Sequence, residues 1–230
     1  MVHNADLNEG FMNSLFHLNS YYGITQDPNA KDFIIIMKYY KYDLKHYITK
    51  NFYNINWNTK LKILKNIIKG LDHIHHQKII HRDFHSGNIL YENEDDMVIS
   101  DLGISKSAME STDDNEIYGI ISYMASEIWQ RRKYTIASDI YSFGMIMWEL
   151  MTGKKPFWDR NGDSDLMIKI HDGLRPPIVT NAPKNYIKLM EECWDSDPDK
   201  RPTSFDIQCV MKKMAVTKNR ISQKLHIRIG

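Results

Sequence analysis

His81-Arg82-Asp83-Phe84-His85-Ser86-Gly87-Asn88, followed by Asp101-Leu102-Gly103, decides the reading of this chain. It sets a carboxylate at Asp83, a carboxamide five residues later at Asn88, and a second carboxylate at Asp101, eighteen residues after the first. Phosphoryl transfer from a nucleotide requires that combination. One carboxylate orients the attacking hydroxyl and accepts its proton, while hard oxygen ligands hold the magnesium that neutralises the phosphates. The spacing also has a mechanical reason. Ile89-Leu90-Tyr91 and Met97-Val98-Ile99 are short apolar strand runs, and the polar Glu92-Asn93-Glu94-Asp95-Asp96 between them reads as a turn. A hairpin at this point returns Asn88 and Asp101 towards one another.

The bulk composition suits a frame for such a site. With 230 residues, 42% hydrophobic and 26% charged, the chain has the make-up of one globular domain, or one domain with two lobes. A formal net charge of +1 argues against binding nucleic acid through bulk electrostatics. Cys193 and Cys209 are too far apart for a Cys-x-x-Cys site, so neither zinc nor a disulfide framework is expected. Both read as small apolar residues of a reducing, cytoplasmic compartment. Met1 to Asp6 has neither a basic region nor an apolar core, so no secretory signal is expected there. The longest aliphatic run, Phe33-Ile34-Ile35-Ile36-Met37, is too short to span a bilayer, so no membrane partner is expected.

That run reads instead as a buried strand, with Tyr21 to Thr25 as its antiparallel partner and Gln26-Asp27-Pro28-Asn29-Ala30 as the turn. Leu61, Leu64, Ile67, Ile68, Leu71 and Ile74 repeat at helical spacing before the His81 loop. Ile140, Phe143, Ile146, Met147 and Leu150 do the same and end at Gly153. Shorter helices are expected over 165–171 and 183–194, the second with Pro at its first turn. A last one begins at Thr203, where Thr203 and Asp206 suggest a capping box. Strands first and helices afterwards give an α+β chain that is mainly helical.

The order and spacing of these motifs resemble the catalytic loop and metal-binding motif of the eukaryotic protein kinases, with leanings towards the tyrosine-kinase-like group. The likeness covers roughly 21–214. It implies a protein-kinase-like fold in which 1–40 is a remnant of the β-rich small lobe and the hinge, 41–214 is the helical catalytic lobe, and 215–230 is a basic tail. It implies ATP and Mg2+ as cofactors, a protein substrate, and phosphorylation of Ser/Thr, or of Tyr, in signal transduction. On this likeness Asp83 is the catalytic carboxylate, and Asn88 and Asp101 are the metal ligands. Met37 is the gatekeeper; Lys38, Tyr39 and Tyr40 are the hinge that offers backbone hydrogen bonds to adenine; Leu90 is the apolar floor beneath it. Arg82 pairs with a phosphorylated residue of the activation segment, the candidates being Ser107, Ser111, Thr112 and Tyr118. Tyr123-Met124-Ala125-Ser126-Glu127 resembles the end of that segment, Asp139 the anchor of the catalytic-loop backbone, and Arg201 the partner of Glu127 in a buried ion pair.

The sequence also departs from the pattern. No Gly-x-Gly-x-x-Gly loop and no Val-Ala-x-Lys strand precede Tyr21, and Glu9 has no lysine to pair with, so it reads as a surface carboxylate. The 230 residues alone are therefore expected to be nearly inactive, which leaves a non-catalytic, pseudokinase-like scaffold as the alternative reading. Leu102 and Ser126 replace the usual Phe and Pro, Ile120 stands where a threonine is usual, and His85 stands where Ser/Thr kinases carry a lysine. His73, His75, His76 and His81 have no clustered ligand partners and are not read as a metal site. The basic residues from Lys212 to Arg228 read as a solvated helix end and tail rather than a nucleic-acid patch.

Overall fold

A computed structural model describes residues 18–108, 117–160, 163–178 and 182–214. Glu9, Ser111, Thr112 and the 215–230 tail lie outside the described residues. Among the described residues, three small antiparallel sheets and a set of helices make an α+β structure with far more residues in helices than in strands.

The chain first forms a hairpin from β1 (Tyr21–Gln26) and β2 (Phe33–Met37), registered Ile24 to Ile35 and Gln26 to Phe33. Asp27 closes the turn by accepting from the N–H groups of Asn29 and Ala30 at 2.7 and 2.8 Å. Both strands form where runs dense in β-branched and aromatic residues place them. Their environment differs from the expectation. Every residue of β2 is exposed, from 42% at Met37 to 75% at Phe33, so the strand is not buried. The run's apolar density registers a demand for cover, and a two-stranded ribbon cannot meet that demand itself; among the described residues no further strand pairs with either edge. The hairpin is tethered through Leu18, which bridges to Ile99, and through the Asn19 N–H, which donates to the Ile99 carbonyl at 3.0 Å.

A second sheet is built in the order β3–β5–β6 from Tyr42–Asp43, Ile89–Tyr91 and Met97–Ile99. Here the sequence reading of the hairpin stands: Ile89 faces Ile99, Leu90 faces Val98 and Tyr91 faces Met97. The third pair joins β4 (Ile79–Ile80) to β7 (Lys106–Ser107), tying the chain before the catalytic loop to the chain after Asp101.

Helix α1 (Leu44–Asn51) starts where Asp43 accepts from the His46 N–H at 2.7 Å. Helix α2 (Trp57–His76) starts at Asn56, whose side chain takes the N–H groups of Asn58 and Thr59. Its Leu64, Ile67, Ile68, Leu71 and Ile74 are all buried, as their spacing requires, and only Leu61 stays partly exposed. At about 1.5–3 kcal/mol for each fully buried aliphatic side chain, this stripe outweighs the weak intrinsic propensity of a helix with four β-branched isoleucines. After the short α3 (Ser126–Trp129) comes α4 (Ile136–Thr152), apolar on nearly every face. An all-round apolar helix belongs in the centre of a fold, and Ser138 through Met151 are buried without interruption. Of the remaining helices, α6 (Lys184–Cys193) packs along α4, α5 (Asp163–His171) meets α3, and α7 (204–214) buries Ile207 and Met211 in the core. Asp206 closes the capping box of α7 on Thr203, with bonds of 2.6 to 3.2 Å.

Gly153 ends α4 at φ +74°, its N–H donating to Glu149 at 2.8 Å. A Cβ there would stand 2.5 Å from the Phe52 ring. The αL cost and the clash act together, so Gly153→Ala should destabilise the fold by roughly 2 kcal/mol in denaturant unfolding, whereas Gly173→Ala, with open space around it, should lose only the αL part.

Candidate active site

The loop between β4 and β5 is held from below by one side chain. Asp139 on α4, 1% exposed, accepts from the backbone N–H of His81 at 2.8 Å and of Arg82 at 3.1 Å, and meets His75 Nε2 at 3.0 Å. This brace matters because Arg82 has φ +73°, a left-handed conformation that costs a non-glycine residue about 1–2 kcal/mol. Two charge-assisted bonds to the flanking amides offset that cost. Phe84 points into the core at 2% exposure, so its neighbour Asp83 is turned outwards.

From there a closed ring of bonds brings the chemistry together. His81 Nε2 lies 3.0 Å from the Ser100 carbonyl. The Ser100 N–H donates to the Asn88 carbonyl at 2.9 Å, and Asn88 Nδ2 donates to the Asp83 carbonyl at 2.9 Å and to its Oδ2 at 3.3 Å. Asp101 follows Ser100 directly, at φ +58° and exposed. The hairpin β5–β6 thus delivers Asn88 and Asp101 to the same end of one sheet, beside Asp83. Burial pushes the His81 imidazole below its ordinary value, so it is neutral, and its proton serves the Ser100 carbonyl.

The Asp83 carboxyl is held below the usual carboxylate range, first by hydrogen bonding to His85, against an opposing effect of burial. His85 Nε2 stands 3.5 Å from Asp83 Oδ2. On the other side of the carboxylate runs the activation segment. A Cβ on Gly119 would be 3.3 Å from Asp83 Oδ1, and Asp83, Tyr118, Gly119, Ile120, Tyr123 and Tyr134 line a small open cleft. Burial and the Asp101 charge raise the Tyr21 phenol of β1, so the hairpin comes near the metal motif.

Two hard oxygens, the Asn88 carboxamide oxygen and the Asp101 carboxylate, fit Mg2+. Asn88 commits its nitrogen to Asp83, which leaves its oxygen for a cation. A magnesium site needs only one or two such protein ligands when substrate phosphates supply the rest, and among the described residues there is no larger His/Cys/Asp/Glu cluster.

The other expected site residues sit apart from this group. Met37, 42% exposed, closes β2, and its Sδ accepts from Asn19 Nδ2 at 3.0 Å. Lys38 turns its Nζ to Asp96 at 3.2 Å and over the Tyr40 ring at 4.6 Å, while Tyr39 is 84% exposed. Leu90 pairs with Asp43 on β3, one strand from this linker, and is half-buried. Arg82 donates to the Ile104 carbonyl at 3.3 Å and stacks on Tyr134 and Tyr118 at 4.6 and 5.2 Å. Ser107 is in β7, and Tyr118 is held through its own backbone, the Tyr134 hydroxyl taking its N–H at 2.9 Å and donating to its carbonyl at 2.6 Å.

Some partners had no sequence signal. The Tyr134 clamp on Tyr118 is one. Another is the buried chain Ser86–Tyr123–Glu149, with bonds of 3.3 and 2.7 Å, in which burial raises both the Tyr123 phenol and the Glu149 carboxyl. The ion pair from Glu127 to Arg201 was legible. It is bidentate at 2.7 and 2.9 Å and closed to solvent.

A family model described as "Protein tyrosine and serine/threonine kinase" matches residues 9–211. The chain is similar to the serine/threonine/tyrosine-protein kinase HT1 of Arabidopsis thaliana, 29% identical over 204 residues, which is 88% of this chain and 52% of that protein. It is also similar to the dual specificity protein kinase splA of Dictyostelium discoideum, 31% identical over 189 residues, covering 74% of this chain and 8% of that protein. The chain therefore spans about half the length of one relative and a small part of the other. With the catalytic loop braced on Asp139, the metal motif beside it and a family match over most of its length, this chain belongs to the protein kinases.

Proposed function

We propose that this chain supplies the catalytic lobe of an enzyme that transfers the γ-phosphate of ATP to hydroxyl groups of protein substrates. The observation that carries the reading is the ring of bonds through His81, Ser100, Asn88 and Asp83, with Asp101 at its edge. In it, Asp83 orients the incoming hydroxyl and takes its proton as the oxygen–phosphorus bond forms and ADP leaves. A carboxylate with a lowered pKa is a weak base, so orientation is its larger contribution. Asn88 and Asp101 would hold Mg2+, which when bound neutralises charge on the phosphates. Backbone groups of Lys38, Tyr39 and Tyr40 face the adenine, with Met37 behind it and Leu90 beneath. The pairing of Leu90 with Asp43, next to that linker, supports this placement.

Serine and threonine are the favoured acceptors, with tyrosine as a further one, in keeping with the names of both relatives. A reducing cytoplasm is the proposed setting, in keeping with Cys193 packed as a small apolar residue in the core. A protein-binding scaffold is the second reading, favoured by the exposed apolar β1–β2 hairpin.

The test uses the full-length gene product. Mg2+ with ATP should raise its melting temperature, and Asp101→Ala should remove the Mg2+-dependent part of that rise. Labelled phosphate should pass to protein serine and threonine in the parent. Binding partners without nucleotide stabilisation or phosphate transfer would favour the scaffold.

A further inference from the structure

His85 stands where its imidazole can serve two neighbours at once. Its Nδ1 lies 3.0 Å from the Gly87 backbone nitrogen, which donates to it. A backbone N–H is always a donor, so Nδ1 must present its lone pair, and in the neutral ring the proton is on Nε2. That nitrogen faces Asp83 Oδ2 at 3.5 Å. The tautomer is thus selected by the backbone, with no other acid or base required.

Two further observations make this a built arrangement. Gly87 permits the close approach: a Cβ there would lie 2.8 Å from His85 Cε1 and 2.9 Å from Nδ1. The ring also has a wall. It tilts against Tyr123 at 5.9 Å, and the Tyr123 hydroxyl is fixed by Glu149 at 2.7 Å. The side chain is 13% exposed, so little water competes for Nε2–H.

We propose that His85 is a positioning residue for Asp83, with its Nε2–H holding Oδ2 so that Oδ1 is presented to the incoming hydroxyl. This rests on the phosphotransfer reading above. Asn88 Nδ2 approaches the same Oδ2 at 3.3 Å, and Oδ1 is the oxygen beside Gly119 and the cleft. The carboxylate is therefore divided, one oxygen held by the loop and the other left for chemistry. The 3.5 Å separation is long for a hydrogen bond, and such contacts tighten when substrate closes the site.

The experiment has two arms. Nitrogen-15 NMR of the His85 ring in the 230-residue chain, at a pH where the ring is neutral, should show the Nε2–H tautomer, and Gly87→Ala should shift it towards Nδ1–H. In the full-length gene product, His85→Ala and Gly87→Ala should each lower kcat by about 10–100-fold with KM for ATP little changed, because misplacement of the carboxylate affects the chemical step. A neutral parent ring in the Nδ1–H form overturns the proposal whatever the activity. Parental kcat in both variants overturns it as well. Absence of phosphate transfer in the parent would count against the phosphotransfer reading, while the tautomer still decides the pinning of the ring.

Discussion

Arg201→Ala should lower stability by about 3–5 kcal/mol, because it leaves Glu127 charged, dry and unpartnered. For a chain of this size that is a fall of roughly 6–20 °C in melting temperature. Four of the five guanidinium N–H groups are committed. Its Nη1 and Nη2 meet Glu127 at 2.7 and 2.9 Å, its Nε donates to the Asp195 carbonyl at 2.8 Å, and Nη1 also reaches the Ala137 carbonyl at 2.9 Å. The pair ties the end of the activation segment to the start of α4 and to the loop before α7. Arg201→Lys should recover only part of the loss, since an ammonium cannot reproduce the fork. In a double-mutant cycle, Glu127→Ala with Arg201→Ala should cost less than the sum of the singles. Differential scanning calorimetry reads the four proteins of the cycle and the lysine variant, and an Arg201→Ala midpoint indistinguishable from the parent would remove the pair from the account.

The second large effect is on activity rather than stability. Asp83→Asn in the full-length gene product should reduce phosphate transfer by about 10²–10⁴-fold. The fold should survive, because Asn88 Nδ2 donates to the Asp83 backbone carbonyl as well as to the carboxylate, and the braces on the loop come from Asp139. The substitution keeps the size of the side chain but removes the proton acceptor and turns an amide towards His85 Nε2–H. Parental transfer in this variant, with an unchanged melting temperature, would deny Asp83 its role.

The contrast between these two variants shows what kind of information the sequence held. Glu127 and Arg201 were legible as a pair through the motifs that contain them, as were Asp139 and the hairpin that joins Asn88 to Asp101. Periodicity located α2 and α4 because a buried stripe and an all-round apolar helix leave a regular trace. Burial of Phe33–Met37 was misjudged, because apolar density reports what a strand needs and says nothing of what is present to cover it. The Gly87 contact with His85 and the Tyr134 clamp on Tyr118 had no trace at all. Both are bonds between a side chain and a backbone group. They depend on loop conformation, which neither spacing nor hydropathy encodes.

The central claim is that Asp83, Asn88 and Asp101 face one divalent ion at a nucleotide's phosphates. Paramagnetic broadening by Mn2+ with ATP measures it directly on backbone amides of the 230-residue chain. Residues 83, 87–89 and 100–102 should broaden first, and Asp101→Ala should abolish the effect. Broadening centred elsewhere, or persisting undiminished in that variant, would contradict the account.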